Sequence, residues 1–500
     1  MSKTDRKRWQ RTSPLAAIFY AGKVFEAIAR NAVQSLAPLV AFLVASEGPI
    51  VKRIVIGASI FLVFVAVTSL LRYWFFRYSI TGNSILIREG VFRKKQLDIK
   101  FDRIQAIDTE QNVLYRALGL ITMKFDTAGS ARQEGYLPAI RNAVADTLRE
   151  RIRRAKPGGH ALEEPADEEA LEVLRLETGD MFRIGLSSNR ALLVLVLLGP
   201  VIEQVESRVG NAIQERGLDD ALERVAAAAD IDVLIPVLII VGALVLLVFA
   251  SIIGAFLRYH GFTLAWDKDV LRSRGGLFTR HEQSISRKKI QAFEATQNAL
   301  LRLFGRFRLR ARRASSGKPG GDRDLTIPVS DDATTATLAA AIFEREFPGA
   351  NLRPTASGFQ PISVRYIRSR VLLTGVVPAL LLALPLTAIA GVAGLAPLAW
   401  IPVNALLAWQ VYRRYGFICT GDGLVLRRGF AGYRLSAFLH RKVQRISVTQ
   451  SPGQRRKGLA TIRFYLASGT LKLPYVDFGL AKGLRDHVLY RVESSQLAWH

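Results

Sequence analysis

Cysteine is almost absent from this sequence. The single Cys419 in 500 residues excludes a disulfide within the chain and a cysteine-rich metal site. The six histidines are scattered, and none lies four residues from another, which excludes a helical zinc-binding pair. The Gly-x-Ser-x-Gly and His-Glu-x-x-His patterns of hydrolases and metalloproteases are also missing. We therefore expect no cofactor, no metal and no enzymatic activity.

Acidic residues are few compared with basic ones. The chain has 69 Lys and Arg against 42 Asp and Glu, a net charge of +27, and half of its residues are apolar. This combination is typical of a membrane protein with basic cytoplasmic parts. Residues 1–31 form a basic arm with no cleavage site after a short apolar core, unlike a signal peptide.

Long apolar runs occur in pairs. A helix needs about 20 apolar residues to cross the hydrocarbon core of a bilayer. Three of the runs are long and almost uncharged, whereas the other three are short and contain a proline. The sequence predicts six membrane helices within three paired regions, 32–75, 190–257 and 371–412. The runs are residues 32–45, 54–75, 191–205, 233–257, 371–395 and 397–411.

Basic residues near the ends of these runs indicate the orientation. Arg72 and Arg77, Arg258, and Arg413 lie at the exits of the second, fourth and sixth runs, whereas the loop 206–232 is net acidic. Because Lys and Arg favour the cytoplasmic side, this loop should lie outside and both termini inside. We predict a multi-pass protein of the bacterial inner membrane.

A repeat follows each pair. A glycine is followed after fifteen residues by a glutamine, after six more by a second glutamine, and after eight more by a second glycine. Four positions at identical spacing in three segments indicate three copies of one module. The signature residues are Gly90, Gln105, Gln111 and Gly119; Gly276, Gln291, Gln297 and Gly305; and Gly429, Gln444, Gln450 and Gly458.

Each copy has the pattern of a β-rich unit closed by a helix. Short apolar strands end at glycine turns, and one later strand carries Pro138, Pro328 or Pro474, which suits only an edge or a strand end. An amphipathic helix follows. The predicted modules span 77–156, 258–350 and 413–500. Residues 157–189 should form an acidic linker with a juxtamembrane helix, and 351–370 a second linker.

The signature residues have a structural interpretation and a functional one. We expect the first glycine of each copy to occupy a turn that needs positive φ, and the second to cap a short helix. The glutamines would bond buried backbone groups next to a strand. A shared ligand site is the alternative.

The sequence Gly-Val-Phe, Arg-Ile-Gln, Gln-Asn-Val-Leu-Tyr-Arg-Ala-Leu-Gly-Leu and Thr-Ala-Gly of the first copy resembles the membrane-flanked bacterial pleckstrin-homology-like (PH-like) family. The resemblance covers nearly the whole chain, although the third copy has Ser-Pro-Gly where the others have Asn-Val-Leu or Asn-Ala-Leu. It implies a small β-sandwich or barrel with one C-terminal helix, and no enzyme activity. It also implies roles proposed around envelope stress and resistance to antimicrobial compounds.

The second copy contains an arginine-rich strand. Alternation along a strand would place four arginines on one face, with Phe307, Leu309 and Ala311 on the other. This face could contact anionic lipid headgroups, which attract each nearby basic residue by about 1 kcal/mol. A solvated face, or one paired with acids such as those at 163–172, is the alternative. Nucleic acid is disfavoured because the face has no aromatic side chains. The four arginines are Arg306, Arg308, Arg310 and Arg312.

We therefore predict a non-enzymatic membrane protein that presents three cytoplasmic modules to lipids, to a protein of the same family, or to another copy of itself. A component of a transport or export system is the alternative. No carboxylate lies in the middle of a predicted span, which disfavours a proton-coupled transporter.

Overall fold

The computed structural model describes residues 9–30, 49–91, 94–127, 135–155, 171–187, 231–267, 269–314, 324–343 and 358–494. The predicted spans 32–45 and 191–205, and the predicted external loop 206–232 up to residue 230, lie outside these residues. The chain divides into two units. Unit 1 comprises residues 1–171, 266–274 and 278–286, and unit 2 comprises residues 172–265, 275–277 and 287–500.

Helices and strands alternate in the order that the three-copy pattern predicts. The helices are α1 (Ala16–Arg30), α2 (Ile50–Phe75), α3 (Val113–Ala117), α4 (Asn142–Arg154), α5 (Thr178–Leu186), α6 (Ile231–Tyr259), α7 (Ala299–Leu303), α8 (Asp332–Phe343), α9 (Arg365–Val371), α10 (Val377–Ala390), α11 (Trp400–Arg413), α12 (Pro452–Arg455) and α13 (Phe478–Ser494).

The strands come in sets of six per copy, with one additional strand before the second copy and one before the third. They are β1 (Arg77–Ile80), β2 (Ser84–Glu89), β3 (Lys95–Lys100), β4 (Ile104–Asn112), β5 (Leu120–Thr127), β6 (Gly135–Arg141), β7 (Leu171–Arg175), β8 (Thr263–Asp267), β9 (Val270–Gly275), β10 (Thr279–Ser286), β11 (Ile290–Thr296), β12 (Phe307–Arg313), β13 (Leu325–Ser330), β14 (Gln360–Pro361), β15 (Gly416–Cys419), β16 (Gly423–Arg428), β17 (Arg434–Leu439), β18 (Val443–Thr449), β19 (Leu459–Leu466) and β20 (Gly469–Asp477).

Unit 1 contains the first module. Strands β1, β2 and β3 form one antiparallel sheet, and β4, β5 and β6 belong to a second. A single core of buried residues, including Ile85, Phe101, Met123 and Phe125, draws on both sheets. Helix α4 closes this core because its buried Ala145, Leu148 and Ile152 recur at helical spacing. This is the PH-like arrangement that the resemblance implied.

The residues predicted to form a basic N-terminal arm include an ordered helix. Three side chains of α1, four residues apart, are buried, and Ala16 and Tyr20 are part of the core of the first module. The hydroxyl of Tyr115 donates a hydrogen bond to the carbonyl oxygen of Leu15 over 3.0 Å. Helix α1 is therefore a structural part of module one.

A strand of the second copy extends the sheet of the first. In unit 1, β10 pairs antiparallel with β4, with His281 opposite Glu110. The two side chains lie 3.5 Å apart, and Lys124 also donates a hydrogen bond to Glu110. Burial alone would raise the pKa of Glu110, but the hydrogen bonds from His281 and Lys124 lower it to about 2. The predicted boundary between modules one and two is therefore not a boundary of the sheet.

Unit 2 repeats this junction. Strand β11 pairs with β12 on one side and with β17, from the third copy, on the other. Strands β18, β19 and β20 form a separate three-stranded sheet, and α13 packs on the core of the third module through Ala481, Leu484 and Val488. Strands β6, β13 and β20, which contain Pro138, Pro328 and Pro474, each lie at the end of their sheet, which confirms the edge position predicted from these prolines.

The short helix of the third copy forms despite its different sequence. In the first two copies, the side chains of Asn112 and Asn298 cap α3 and α7 by accepting a backbone N–H at 2.7 and 2.8 Å. In the third copy, Ser451 and Gln454 form a reciprocal capping box at α12. Different side chains therefore accept hydrogen bonds from the equivalent backbone N–H groups in the first turn of the short helix.

Among the described residues, two helical segments are long and apolar enough to cross a bilayer: Val55–Phe75 and Arg365–Arg413. A shorter apolar stretch is Val245–Tyr259. Six such segments were predicted, so the structure shows the membrane helices only in part. Many of their apolar side chains are exposed in both segments, as bilayer contact would require.

The segment Arg365–Arg413 is folded back on itself. Helix α10 ends at Gly391, whose φ of 58° suits glycine, and a 3₁₀ segment Gly391–Ala399 follows. Helix α11 returns beside the start of the segment, where the side chains of Trp400 and Asn404 donate hydrogen bonds to the carbonyl oxygen of Thr374 over 3.0 and 3.3 Å. A π-helical turn, Leu372–Val376, contains this carbonyl. The two apolar runs of the third pair were predicted to be separated at residue 396, whereas in the structure the first helix already ends before Gly391.

Candidate functional site

The arginine-rich strand is β12, and its alternation is partly as predicted. Phe307, Leu309 and Ala311 are buried, whereas Arg308 and Arg310 are half-buried. Arg306 precedes the strand and is also half-buried. The predicted basic face therefore exists over part of its length.

Acidic side chains lie beside two of these arginines. Arg306 lies 3.9 Å from a carboxylate oxygen of Asp180 and 3.6 Å from one of Asp331. Arg310 lies 3.9 Å from Asp324. These acids come from α5, α8 and β13 or the residues next to them, whereas most of the acidic run suggested by the sequence, residues 163–170, lies outside the described residues.

Arg312 does not belong to an exposed face. Its side chain is 6% exposed and forms a 3.0 Å ion pair with Glu294, which is 9% exposed. It also donates a hydrogen bond to the carbonyl oxygen of Ser468. The expectation that all four arginines share a surface is therefore wrong for Arg312, because its guanidinium is enclosed between Glu294 and the Ser468 carbonyl of the third copy.

The second glutamine of each signature makes one recurring hydrogen bond. The side-chain amide donates to the carbonyl oxygen of the residue that follows the second glycine, at 2.8 Å in the first copy, 3.1 Å in the second and 2.8 Å in the third. This confirms the structural interpretation for these glutamines. The pairs are Gln111 with Leu120, Gln297 with Arg306, and Gln450 with Leu459.

The first glutamines differ between the copies. Gln291 is buried on β11, whereas Gln444 is exposed on β18. Gln105 lies on β4, but its side chain is outside the described residues. A ligand site shared by the three copies stays an untested alternative.

The signature glycines follow the prediction with one exception. The three second glycines have φ of 62°, 62° and 63° at the C-terminal end of a short helix, and Gly90 and Gly276 have φ of 107° and 113°. Gly429 was also expected to need positive φ, and this is wrong. It is constrained by space instead, since a Cβ there would lie 1.9 Å from the carbonyl oxygen of Gly432. The second glycines are Gly119, Gly305 and Gly458.

A basic cavity of about 480 Å³ lies in unit 2 beside this turn. Its arginines come from three different strands: Arg308 from β12, Arg428 from the end of β16, and Arg434 from the start of β17. None of the described residues that line it is acidic. The complete lining is Thr296, Gln297, Asn298, Leu301, Arg308, Tyr366, Val411, Tyr415, Arg428, Gly429, Phe430, Gly432, Tyr433 and Arg434.

Close backbone packing positions the two arginines of the third module. The turn between β16 and β17 lies against β11, where the N–H of Gln297 donates to the carbonyl oxygen of Tyr433 over 2.7 Å. A Cβ at Gly432 would lie 1.7 Å from the carbonyl oxygen of Gln297. Only glycine permits this approach, which brings Arg434 and Arg308 into one cavity.

Positive charge is concentrated around the cavity. Partial desolvation lowers the pKa of Arg434, and the neighbouring Arg428, Arg310 and Arg312 lower it further, against the opposing effect of Glu294. The ring of Tyr433 lies 5.5 Å from the guanidinium of Arg302 and 5.3 Å from that of Arg414. An anion would relieve this like-charge repulsion, and guanidinium groups match the oxygen geometry of phosphate.

The helices of the folded-back segment form another wall of the cavity. Tyr366 lies in the first turn of α9 and Val411 in the last turn of α11, where the apolar segment ends. Basic and aromatic side chains cluster here, with the guanidinium of Arg413 4.7 Å from the ring of Trp409. This composition is typical of the membrane interface.

The sequence interpretation included Arg308 but missed Arg428, Tyr433 and Arg434. Their signal was the basic sequence around the signature glycine of the third copy, with Arg428 before Gly429 and Arg434 five residues after it. It could not be interpreted without knowing that β17 lies next to β11.

Comparison with known proteins agrees with this architecture. A model of the bacterial PH domain matches the chain three times, over residues 35–156, 224–346 and 371–492. The chain belongs to the bacterial PH domain family. The predicted resemblance is thereby confirmed, and each match includes the apolar region that precedes a module.

Two curated relatives come from Bacillus subtilis (strain 168). UPF0699 transmembrane protein YdbT is 24% identical over 422 residues, which cover 81% of this chain and 83% of that protein. UPF0699 transmembrane protein YdbS is 31% identical over 83 residues, which cover 17% of this chain and 50% of that protein. No solved structure matches the chain.

Proposed function

We propose that this bacterial PH domain protein is a non-enzymatic, multi-pass inner-membrane protein that binds anionic phospholipid headgroups at the cytoplasmic face. The cavity lined by Arg308, Arg428 and Arg434 is the observation that carries this proposal. Among the described residues that line the cavity, only basic ones are charged, so a phosphate group would supply a counter-charge for the three arginines.

The position of the cavity favours a lipid over a soluble phosphate compound. Tyr366 and Val411 of its wall belong to the folded-back segment Arg365–Arg413, whose exposed apolar side chains, such as Leu373 and Leu406, suit contact with acyl chains. A headgroup in the cavity would therefore have its lipid tails beside α9 and α11. The six predicted spans and the cytoplasmic orientation of both termini belong to the same proposal, supported by the basic flanks of the apolar runs.

This proposal revises the predicted lipid contact. Arg308 keeps that role, whereas Arg306 and Arg310 lie beside carboxylates and Arg312 is buried. The alternative role in transport or export stays a prediction, and so do the suggested links to envelope stress and antimicrobial resistance.

The test is lipid binding to the purified full-length protein in detergent. Native mass spectrometry would measure binding of phosphatidylglycerol, with zwitterionic phosphatidylcholine and inorganic phosphate as comparison ligands. We expect retention of phosphatidylglycerol only. Replacing Arg308, Arg428 and Arg434 together by Gln should weaken it by up to about 100-fold, since each basic residue contributes about 1 kcal/mol.

The matched control removes the same charge elsewhere in the third module. Arg455→Gln, Arg456→Gln and Lys457→Gln change three exposed side chains and should leave binding close to that of the native protein. Equal binding of phosphatidylglycerol by the native protein and the cavity variant would refute the proposal. Preferential binding of inorganic phosphate would also refute the lipid assignment.

A further inference from the structure

The modules are linked by one kind of strand junction, which occurs twice. In each junction, the third strand of one copy pairs antiparallel with the fourth strand of the preceding copy, as β10 with β4 and β17 with β11. The register is the same in both. The residue five positions after the first signature glycine lies opposite the residue before the second signature glutamine. These pairs are His281 with Glu110 and Arg434 with Thr296.

Among the described strands, the third strand of the first copy and the fourth strand of the third copy take part in no such junction. Strand β3 pairs with β2 and strand β18 with β19, and neither has a strand on its other side among the residues that the structure describes. The exposure of β18 agrees with an open edge. Gln444 and Arg445 are exposed, whereas their equivalents on the covered strand, Gln291 and Ala292, are 3% and 0% exposed.

We propose that β18 of one copy of the protein pairs with β3 of a second copy and so repeats the internal junction between chains. The shared register would place Lys95 opposite Thr449, which matches the basic residue and threonine of Arg434 and Thr296. Gln96 would lie opposite Val448. Such an edge is a ready template for another strand because its outward backbone N–H and C=O groups have no partner strand in the described part of the chain.

The membrane helices favour this pairing. Strand β1, the first of the module that contains β3, begins two residues after α2 ends, and β15 begins three residues after α11 ends. If both modules lie on the same side of the bilayer, they are held at a similar depth, and confinement to a plane raises their effective concentration. Because β3 and β18 are different surfaces, pairing would be head-to-tail and would produce open rows of copies.

Cysteine cross-linking tests the predicted register in intact membranes. In a Cys419→Ser background, Gln96→Cys and Val448→Cys would be placed in separate, differently tagged copies. Opposite residues of an antiparallel ladder have Cα atoms about 5.5 Å apart in a hydrogen-bonded pair, within disulfide range. We expect a disulfide-linked dimer carrying both tags. The matched control pairs Gln96→Cys with Lys472→Cys, an exposed position on β20, and should give none.

A proline substitution tests the edge itself. At the end of β11, the N–H of Gln297 donates outward to the carbonyl oxygen of Tyr433, beside β17. Gln450 is the equivalent residue at the end of β18. Because alternate residues of a strand direct their N–H groups to the same side, Val448, two residues before Gln450, should also direct its N–H outward. Val448→Pro removes that donor without removing a bond to β19, and Val448→Ala is its control. With the cysteine pair moved to Lys95 and Thr449, Val448→Pro should abolish the cross-link and Val448→Ala should preserve it.

Several results would overturn the inference. These are no mixed dimer from the Gln96 and Val448 pair, a cross-link of equal yield with the Lys472 control, and a cross-link that survives Val448→Pro. Cross-linking of Val448→Cys to a different protein in place of a second copy would also overturn it, because the assigned partner is β3 of this chain.

Discussion

Removing one partner of the buried ion pair between Arg312 and Glu294 should be among the most destabilising single substitutions in the second copy. The two side chains are 6% and 9% exposed and 3.0 Å apart, and Arg312 also satisfies the carbonyl oxygen of Ser468. Replacing Arg312 by Met leaves the carboxylate of Glu294 without this partner. Breaking a buried pair on one side costs about 3–5 kcal/mol because the remaining charge stays desolvated.

The measurement is amide hydrogen exchange of β11 and β12 in the full-length protein, because a multidomain chain need not unfold in one step. A loss of about 3 kcal/mol corresponds to roughly 100-fold faster exchange through local opening. Arg308→Met, on the same strand but half-buried, should change exchange by less than about tenfold. The double variant Arg312→Met with Glu294→Leu should recover much of the protection, since an apolar pair leaves no buried charge.

Equal exchange in Arg312→Met and Arg308→Met would refute this reasoning, because it would mean that the buried pair contributes no more than a half-exposed arginine. Failure of the double variant to recover protection would show that the packing of the arginine side chain matters more than its charge.

Two further predictions concern the repeat and the third module. Gln297→Ala should lower the melting temperature in detergent because it removes the donor to a strand carbonyl, a loss of about 1–2 kcal/mol. Gln444→Ala, at an exposed position, should have little effect. Equal shifts in melting temperature would contradict the role of the recurring bond. Burial, with His487 and Arg491 nearby, lowers the pKa of the fully buried His440 from 6.5 to about 4, so the unfolded chain gains a proton before the folded one as pH falls. Unfolding should therefore become easier from pH 6.5 to pH 4 by roughly 3 kcal/mol, and His440→Gln should flatten that dependence in thermal melts measured across this range.

The repeat could be recognised in the sequence because it depends on interactions between residues that are close along the chain. A second signature glycine such as Gly305 is needed where the backbone leaves a short helix at positive φ, and a glutamine such as Gln297 reaches a carbonyl only nine residues away. Proline marked the sheet edges for an equally local reason, since it has no N–H to donate. Interactions of this kind leave a fixed spacing in the chain.

Spacing carried no information about which module a strand would join. Arg312 was predicted to lie on a surface because alternation assigns a side chain to a face of the sheet but does not say whether that face is buried. The carbonyl group of Ser468, to which Arg312 donates, is 156 residues away in the chain. Gly429 looked like a turn glycine, yet its constraint comes from the close approach of Gly432.

The sequence alone determined the family, the three β-rich copies, their closing helices and the apolar regions before them, because these depend on periodicity and on nearby residues. Only the tertiary structure decided that the copies share sheets, that Arg308, Arg428 and Arg434 meet in one cavity, and that β3 and β18 lie at sheet edges among the described strands. The physical reason is that the backbone hydrogen bonds between two distant strands are the same for most side chains, so the sequence of one strand does not identify its partner.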